Sequence, residues 1–148
     1  MSGSRFGCVV DLPHPPEVLF RYLADPRNRP EWQSSLMSVR LDDVDAEPHV
    51  GMCWNETTVV GLRAAMAITE LVPYRVLAES ARTGGIDGTL VLRFKARPGG
   101  CRIEVEGEMA GRGPLRYVAA AAARLAGRVA ASDLRRAGRV LSTRGPGG

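Results

Sequence analysis

Aromatic side chains are scarce here: three Phe, three Tyr and two Trp among 148 residues. Platforms on which bases could stack are therefore few. No recognition motif for nucleic acid accompanies them, so nucleic acid is not an expected partner. Lysine is nearly missing, with Lys95 alone against nineteen arginines. Such a bias points to a GC-rich coding sequence more than to a task. The two histidines, His14 between prolines and His49 between Pro48 and Val50, fall in connections, which argues against a buried His base. Cys8, Cys53 and Cys101 are odd in number and far apart, without the paired spacing of a zinc site or a redox dithiol. All three read as reduced small hydrophobes, and no metal is expected. Gly84-Gly85 joins two strands instead of leading from a strand into a phosphate-holding helix, so no nucleotide cofactor is expected and none of another kind is indicated. Ser80 and Thr58 have no base in view to activate a hydroxyl. No apolar run reaches eighteen residues, and Met1 to Arg5 lacks the apolar stretch of a signal peptide. Integral membrane association is not expected, and the cytoplasm is the expected compartment.

What is present is ordinary globular material, 45% hydrophobic and 24% charged, in a length that suits one domain. The expected division is a single domain over residues 5–141, with 1–4 and 142–148 as disordered ends. The net charge of +4 is unevenly spread: residues 111–148 hold eight Arg against Asp133 alone, while the first 110 residues are net acidic. Arginines spaced through an alanine-rich segment read first as the wet side of a helix. An interaction surface for an acidic partner is the alternative.

Phe6, Cys8, Val10 and Leu12 alternate with more polar neighbours, the period of a strand with one wet face. Pro13-His14-Pro15-Pro16 ends it, and Pro16-Glu17 suits a helix start, with Val18, Leu19, Tyr22 and Leu23 at helical spacing. Asp25-Pro26 breaks that helix, and Asn28 to Trp32 can make one further turn. Strands are expected near 37–41, 52–59, 64–71, 76–81, 89–96 and 102–110. Connections are expected at 60–62 and 97–100, with a longer one at 83–88. In the last strand Cys101, Ile103, Val105, Gly107 and Met109 share one face while Arg102, Glu104, Glu106 and Glu108 share the other, which predicts an antiparallel sheet with one buried side. From Gly113 to Leu141 proline, alanine and a three-to-four spacing of Leu115, Val118, Ala122, Leu125 and Val129 predict one long helix. Arg116, Arg124, Arg128, Arg135 and Arg139 fall on its opposite side.

This order, together with Pro15-Pro16-Glu17-Val18-Leu19-Phe20-Arg21-Tyr22-Leu23-Ala24-Asp25-Pro26, Pro30-Glu31-Trp32, 50–56, 68–73 and 98–103, resembles the START-like or SRPBCC superfamily, in its polyketide cyclase/dehydrase and lipid transport branch. The resemblance runs from Phe6 to about Leu141. It implies an α+β helix-grip fold: a curved seven-stranded antiparallel sheet wrapped around a long C-terminal helix, two short helices after the first strand, and a cavity between sheet and helix. The residues support a cavity independently. The helix face expected against the sheet is largely Ala119, Ala122, Ala123, Ala126 and Ala130, too short to fill a concave surface, and Gly107 leaves a gap or lets its strand bend. The alternative is that Met66, Met109, Phe94 and Trp54 fill the space.

Expected ligand contacts are Trp32, Met52, Trp54, Glu56, Met66, Ile68, Leu90, Leu92, Phe94, Val105, Met109, Tyr117, Val118, Ala122 and Leu125. Ile103 and Leu115 stand in the same phase. Glu56 is the polar residue of interest, since an enclosed carboxyl is pushed toward neutral pH by desolvation and could move a proton. An outward surface carboxylate is the alternative. Glu70 is expected at a rim. Three functions follow: binding of a hydrophobic small molecule, lipid or polyketide-like; a polyketide cyclase or dehydratase in the same cavity; and an interaction module using the Arg face of the helix. Either a monomer or a homodimer is compatible with the sequence.

Overall fold

Alternation and proline punctuation translate directly into the element order of the computed structural model, which describes residues 3–144. Strand β1 (Ser4–Leu12) is followed by helix α1 (Pro16–Ala24), a 3₁₀ turn (Pro26–Asn28) and the single-turn helix α2 (Arg29–Trp32). Six strands follow: β2 (Leu36–Leu41), β3 (Cys53–Thr58), β4 (Arg63–Val72), β5 (Val76–Thr83), β6 (Ile86–Arg97) and β7 (Gly100–Gly111). Helix α3 (Leu115–Thr143) closes the chain. The strands form one sheet in the order β1-β7-β6-β5-β4-β3-β2, with every neighbouring pair antiparallel. This is the helix-grip architecture expected from the sequence. No helix among the described residues is long and apolar enough to cross a membrane.

Several local expectations are revised. Ser4 is paired with Met109, and Ser142 and Thr143 finish α3, so these residues are structured. Gly3 and Arg144 are held too, by Glu108 and Glu31, and residues 1–2 and 145–148, the remainder of the expected disordered ends, lie outside the described residues. The connection expected over 83–88 is a two-residue turn: Thr83 pairs with Ile86 across Gly84 (φ 46°) and Gly85 (φ 91°). Both central residues sit in the left-handed region that a tight hairpin requires and that glycine supplies without strain. In β4 the register shifts between Ile68 and Glu70, which makes Thr69 an extra residue. Met66 and Ile68 face inward before this bulge, and Glu70 is exposed after it because one inserted residue reverses the parity of the strand.

In α3 the alanine face expected against the sheet is buried at Ala119 and Ala123 and continues through Ala131, Leu134, Ala137, Gly138 and Leu141. The largest correction is that Val118, Leu125 and Val129, expected to share it, are exposed. Larger apolar residues mark a sheet-facing stripe only where there is room for them. Here α3 comes so close to β1 that a Cβ on Gly127 would stand 2.6 Å from the Gly7 carbonyl oxygen. Small side chains therefore take the contact, and the bulkier ones are rotated about one residue step, roughly 100°, away from it. Gly107 leaves no gap either, because the Phe6 ring occupies the place its Cβ would take.

The packed core occupies one part of the inner sheet face. Val10, Leu12, Trp54, Ile68, Leu77, Leu92, Phe94, Ile103 and Val105 from the strands meet Leu19, Phe20 and Leu23 of α1, Trp32 of α2, and Leu134, Ala137 and Leu141 of α3. Phe20 meets Phe94 edge-on, with ring centroids 5.4 Å apart, an arrangement that adds to plain area burial.

Candidate functional site

Beyond that core the inner sheet face is built from small residues. Ala64, Ala81 and Gly88 stand on β4, β5 and β6, and Ala126 and Ala130 face them from α3. Neither layer fills the space between them, and a groove of about 320 Å³ remains. This is at the lower end of the roughly 300–1,000 Å³ of small-molecule sites. Leu36, Met66, Leu90, Met109 and Val129 make apolar walls, while Arg29, Glu56, Glu79, Asp133 and Glu108 supply the polar ones. A depression on the outer sheet face, bounded by Ser38, Arg40, Asn55, Thr57 and Arg63, is larger, but its polar side chains are solvated and it contains no buried charged group.

Of the residues expected to meet a ligand, Glu56, Met66, Leu90 and Met109 border this groove. Trp32, Met52, Trp54, Ile68, Leu92, Phe94 and Val105 belong instead to the packed core, as do the phase-mates Ile103 and, in contact with them, α1 and the far end of α3. Ala122 is half-buried one turn before Ala126 and is not part of the groove wall. Tyr117, Val118 and Leu125 are 66%, 53% and 61% exposed and face away from it, for the reason given by the close α3–β1 approach. Strand phase thus separates inside from outside correctly, yet it does not say which part of the inside is filled.

A buried ion-pair cluster forms the polar end of the groove. Arg29 enters from α2, whose start is fixed by the preceding 3₁₀ turn; there the Asp25 carboxylate accepts the Arg27 backbone N–H. Its Nε donates to Glu56 Oε1 at 2.5 Å, and its Nη1 donates to Glu79 Oε1 and Oε2 at 3.0 and 2.8 Å. Trp54 Nε1 donates to the same Glu56 oxygen at 3.0 Å. The guanidinium carbon lies 5.4 Å from the Trp54 ring centroid and 5.8 Å from that of Trp32, within the range of cation–π attraction. The three charged side chains are 4%, 8% and 5% exposed for Arg29, Glu56 and Glu79. Burial pushes the Glu79 carboxyl up, against the opposing pull of Arg29, and the nearby Glu56 charge adds to the rise. Burial also works against the Arg29 charge, but Glu79 and Glu56 outweigh it and hold the guanidinium in its charged form. On the helix side Asp133 Oδ1 accepts from the Ser34 backbone N–H at 3.2 Å and its hydroxyl at 3.0 Å.

Of this cluster only Glu56 was visible as a candidate from sequence. Glu79 could have been found: it pairs with Ile68 on one side and Leu90 on the other, and both are inward positions. Arg29, in a run of Pro, Asn and Arg, carries no local pattern that marks it as buried. Asp133, the one acid among eight arginines in residues 111–148, stands out in the charge balance but carries no local pattern of a site.

The family model described as polyketide cyclase / dehydrase and lipid transport matches residues 7–141, from β1 to the last turn of α3. The chain belongs to this family. No curated protein matches it. Among solved structures, the family member resembles protein MLL2253 from Mesorhizobium loti at 19% identity, covering 94% of this chain and 97% of that one with a TM-score of 0.73. Ara h 8.0201 gives the same coverages and TM-score at 16% identity. DynU16, described as a putative protein in the dynemicin biosynthetic locus, is 15% identical with a TM-score of 0.69; the match covers 97% of this chain and 49% of that one. At these identities the likenesses establish the shared fold. The family description spans enzymes and carriers, so function has to come from the groove.

Proposed function

We propose that this family member binds a hydrophobic small molecule, lipid or polyketide-like, in the groove between the sheet and α3. The supporting observation is the combination of apolar walls from both layers with a buried, ion-paired polar end. Apolar area drives binding at about 25 cal/mol per Å² removed from water, and a few fixed polar groups orient the guest. Ala126→Phe places a ring in the groove from the helix side, where the alanine is only half-buried. The variant is expected to stay folded and to lose the stabilisation that a lipid and polyketide panel gives the wild type, which at a hundred times Kd amounts to about 2.7 kcal/mol. Equal thermal shifts in the two proteins would place binding elsewhere.

A second reading, proton transfer in a cyclase or dehydratase reaction, is favoured by Glu79, a groove-side carboxyl that burial pushes toward the protonated form. Orientation in a shaped site can contribute much to folding a poly-ketone chain, with one group left to move the proton. For any substrate found to turn over, Glu79→Gln should reduce kcat by about 10²–10⁴-fold with substrate affinity largely kept. Unchanged kcat would remove Glu79 from the chemistry.

A further inference from the structure

The ion-pair cluster leaves particular atoms unused. Glu56 Oε1 accepts two hydrogen bonds, but its Oε2 accepts none from any described residue. Asp133 likewise spends Oδ1 on Ser34 and leaves Oδ2 without a donor. Both residues are only 6% exposed, and both border the groove. The one fully enclosed side-chain polar atom without a partner among the described residues is Trp32 Nε1, so these two oxygens retain contact with open space. Glu79 differs, because Arg29 Nη1 binds both of its oxygens.

Charge points the same way. Arg29 is the one cation on the groove wall among the described residues, and its charge is already divided between Glu56 and Glu79. Asp133 and Glu108 add two more carboxyls, the latter accepting the Gly3 backbone N–H. Arg29 Nη2 donates to no described residue, yet a carboxylate drawn to it would meet carboxylate oxygens on either side of the guanidinium.

We propose that the groove selects a guest with an apolar body and a hydrogen-bond-donating head, an ammonium before a hydroxyl, and turns carboxylate heads away. This rests on the groove being the ligand site. The head would donate to Glu56 Oε2 and Asp133 Oδ2, the two buried acceptors left open, while the body lies along Met66, Leu90 and Met109.

Three 2-substituted naphthalenes that differ only in the head provide the test: naphthylmethylamine, naphthylmethanol and naphthoate, titrated calorimetrically near pH 7 into the full chain. Hydrogen bonds to charged groups lead us to expect the amine to bind about tenfold or more tighter than the carboxylate, with the alcohol between them. Asp133→Asn, which keeps Oδ1 for Ser34 but replaces the open oxygen with a donor, should reduce the amine-to-carboxylate ratio several-fold. Should that variant fail to fold, the wild-type ranking decides alone. Carboxylate binding as tight as the amine's, or tighter, overturns the head-group assignment and leaves the groove as a ligand site. No binding by any of the three at millimolar concentration overturns both.

Discussion

Replacing Arg29 with methionine is expected to destabilise the fold by about 3–5 kcal/mol, the range for breaking a buried ion pair from one side. The size follows from what stays behind. Glu56 and Glu79 would remain in place with their counter-charge gone, and water reaches neither side chain well. Against a total stability of about 5–15 kcal/mol, that loss moves the urea midpoint far or abolishes folding. The deficit should also depend on pH in a definite direction. A carboxyl whose folded pKa lies above its unfolded one contributes most below the unfolded value, and that contribution is lost as pH rises through the folded value. Burial already pushes Glu79 up while Arg29 is present, and without Arg29 the upward push has no opposition. The variant should therefore be closer to wild type near pH 5 than near pH 8, by urea unfolding at each. A deficit that is larger at the acidic end would mean that Glu79 is not enclosed as described. Adding Glu56→Gln and Glu79→Leu to the variant should restore much of the loss, because the uncompensated charges are then gone.

Trp54→Ala is expected to cost about 3–5 kcal/mol, typical of a buried aromatic truncated to alanine. Trp54 is 1% exposed and the largest of the fully buried side chains, so the surrounding sheet and helices cannot collapse onto the space it leaves. Its indole also donates to Glu56 Oε1 and lies against the Arg29 guanidinium. Trp54→Phe separates these contributions. It retains most of the packing and loses the N–H, a hydrogen bond to a charged group worth about 1.5–3 kcal/mol. Chemical denaturation of both variants checks this. Equal losses for alanine and phenylalanine would assign the residue's role to the hydrogen bond alone.

The sequence made the fold legible wherever a strand alternates or proline intervenes. The Cys101-to-Met109 alternation became β7, and Asp25-Pro26 ended α1. It is silent where a single residue changes the count: Thr69 is ordinary in composition, so nothing announces a bulge there, although Glu70, expected at a rim, is exposed. It misled where closeness outranks hydrophobicity. Leu125 and Val118 form an apolar helical row, yet the sheet takes the neighbouring row of alanine and glycine because the Gly127–Gly7 approach leaves no room for a branched side chain. For the site, Glu56 was legible from its shared phase with Met52 and Trp54. Arg29 was not, since its burial depends on carboxylates 27 and 50 positions away in sequence.

The grip of sheet on rod is uneven along the rod's length. Ala119, Ala123 and Gly127 hold the first four turns, while Leu134, Ala137 and Leu141 hold the last. At the far end His14 bonds the Gly138 carbonyl, and Arg144 clasps the Glu31 carboxylate with one nitrogen on both oxygens. Parting two surfaces costs in proportion to the apolar area exposed, so the alanine end comes away for less than the leucine end. Local opening of α3 is therefore expected to begin at the alanine end and to cost less than global unfolding, with amide hydrogen exchange slowest near Leu134 to Leu141.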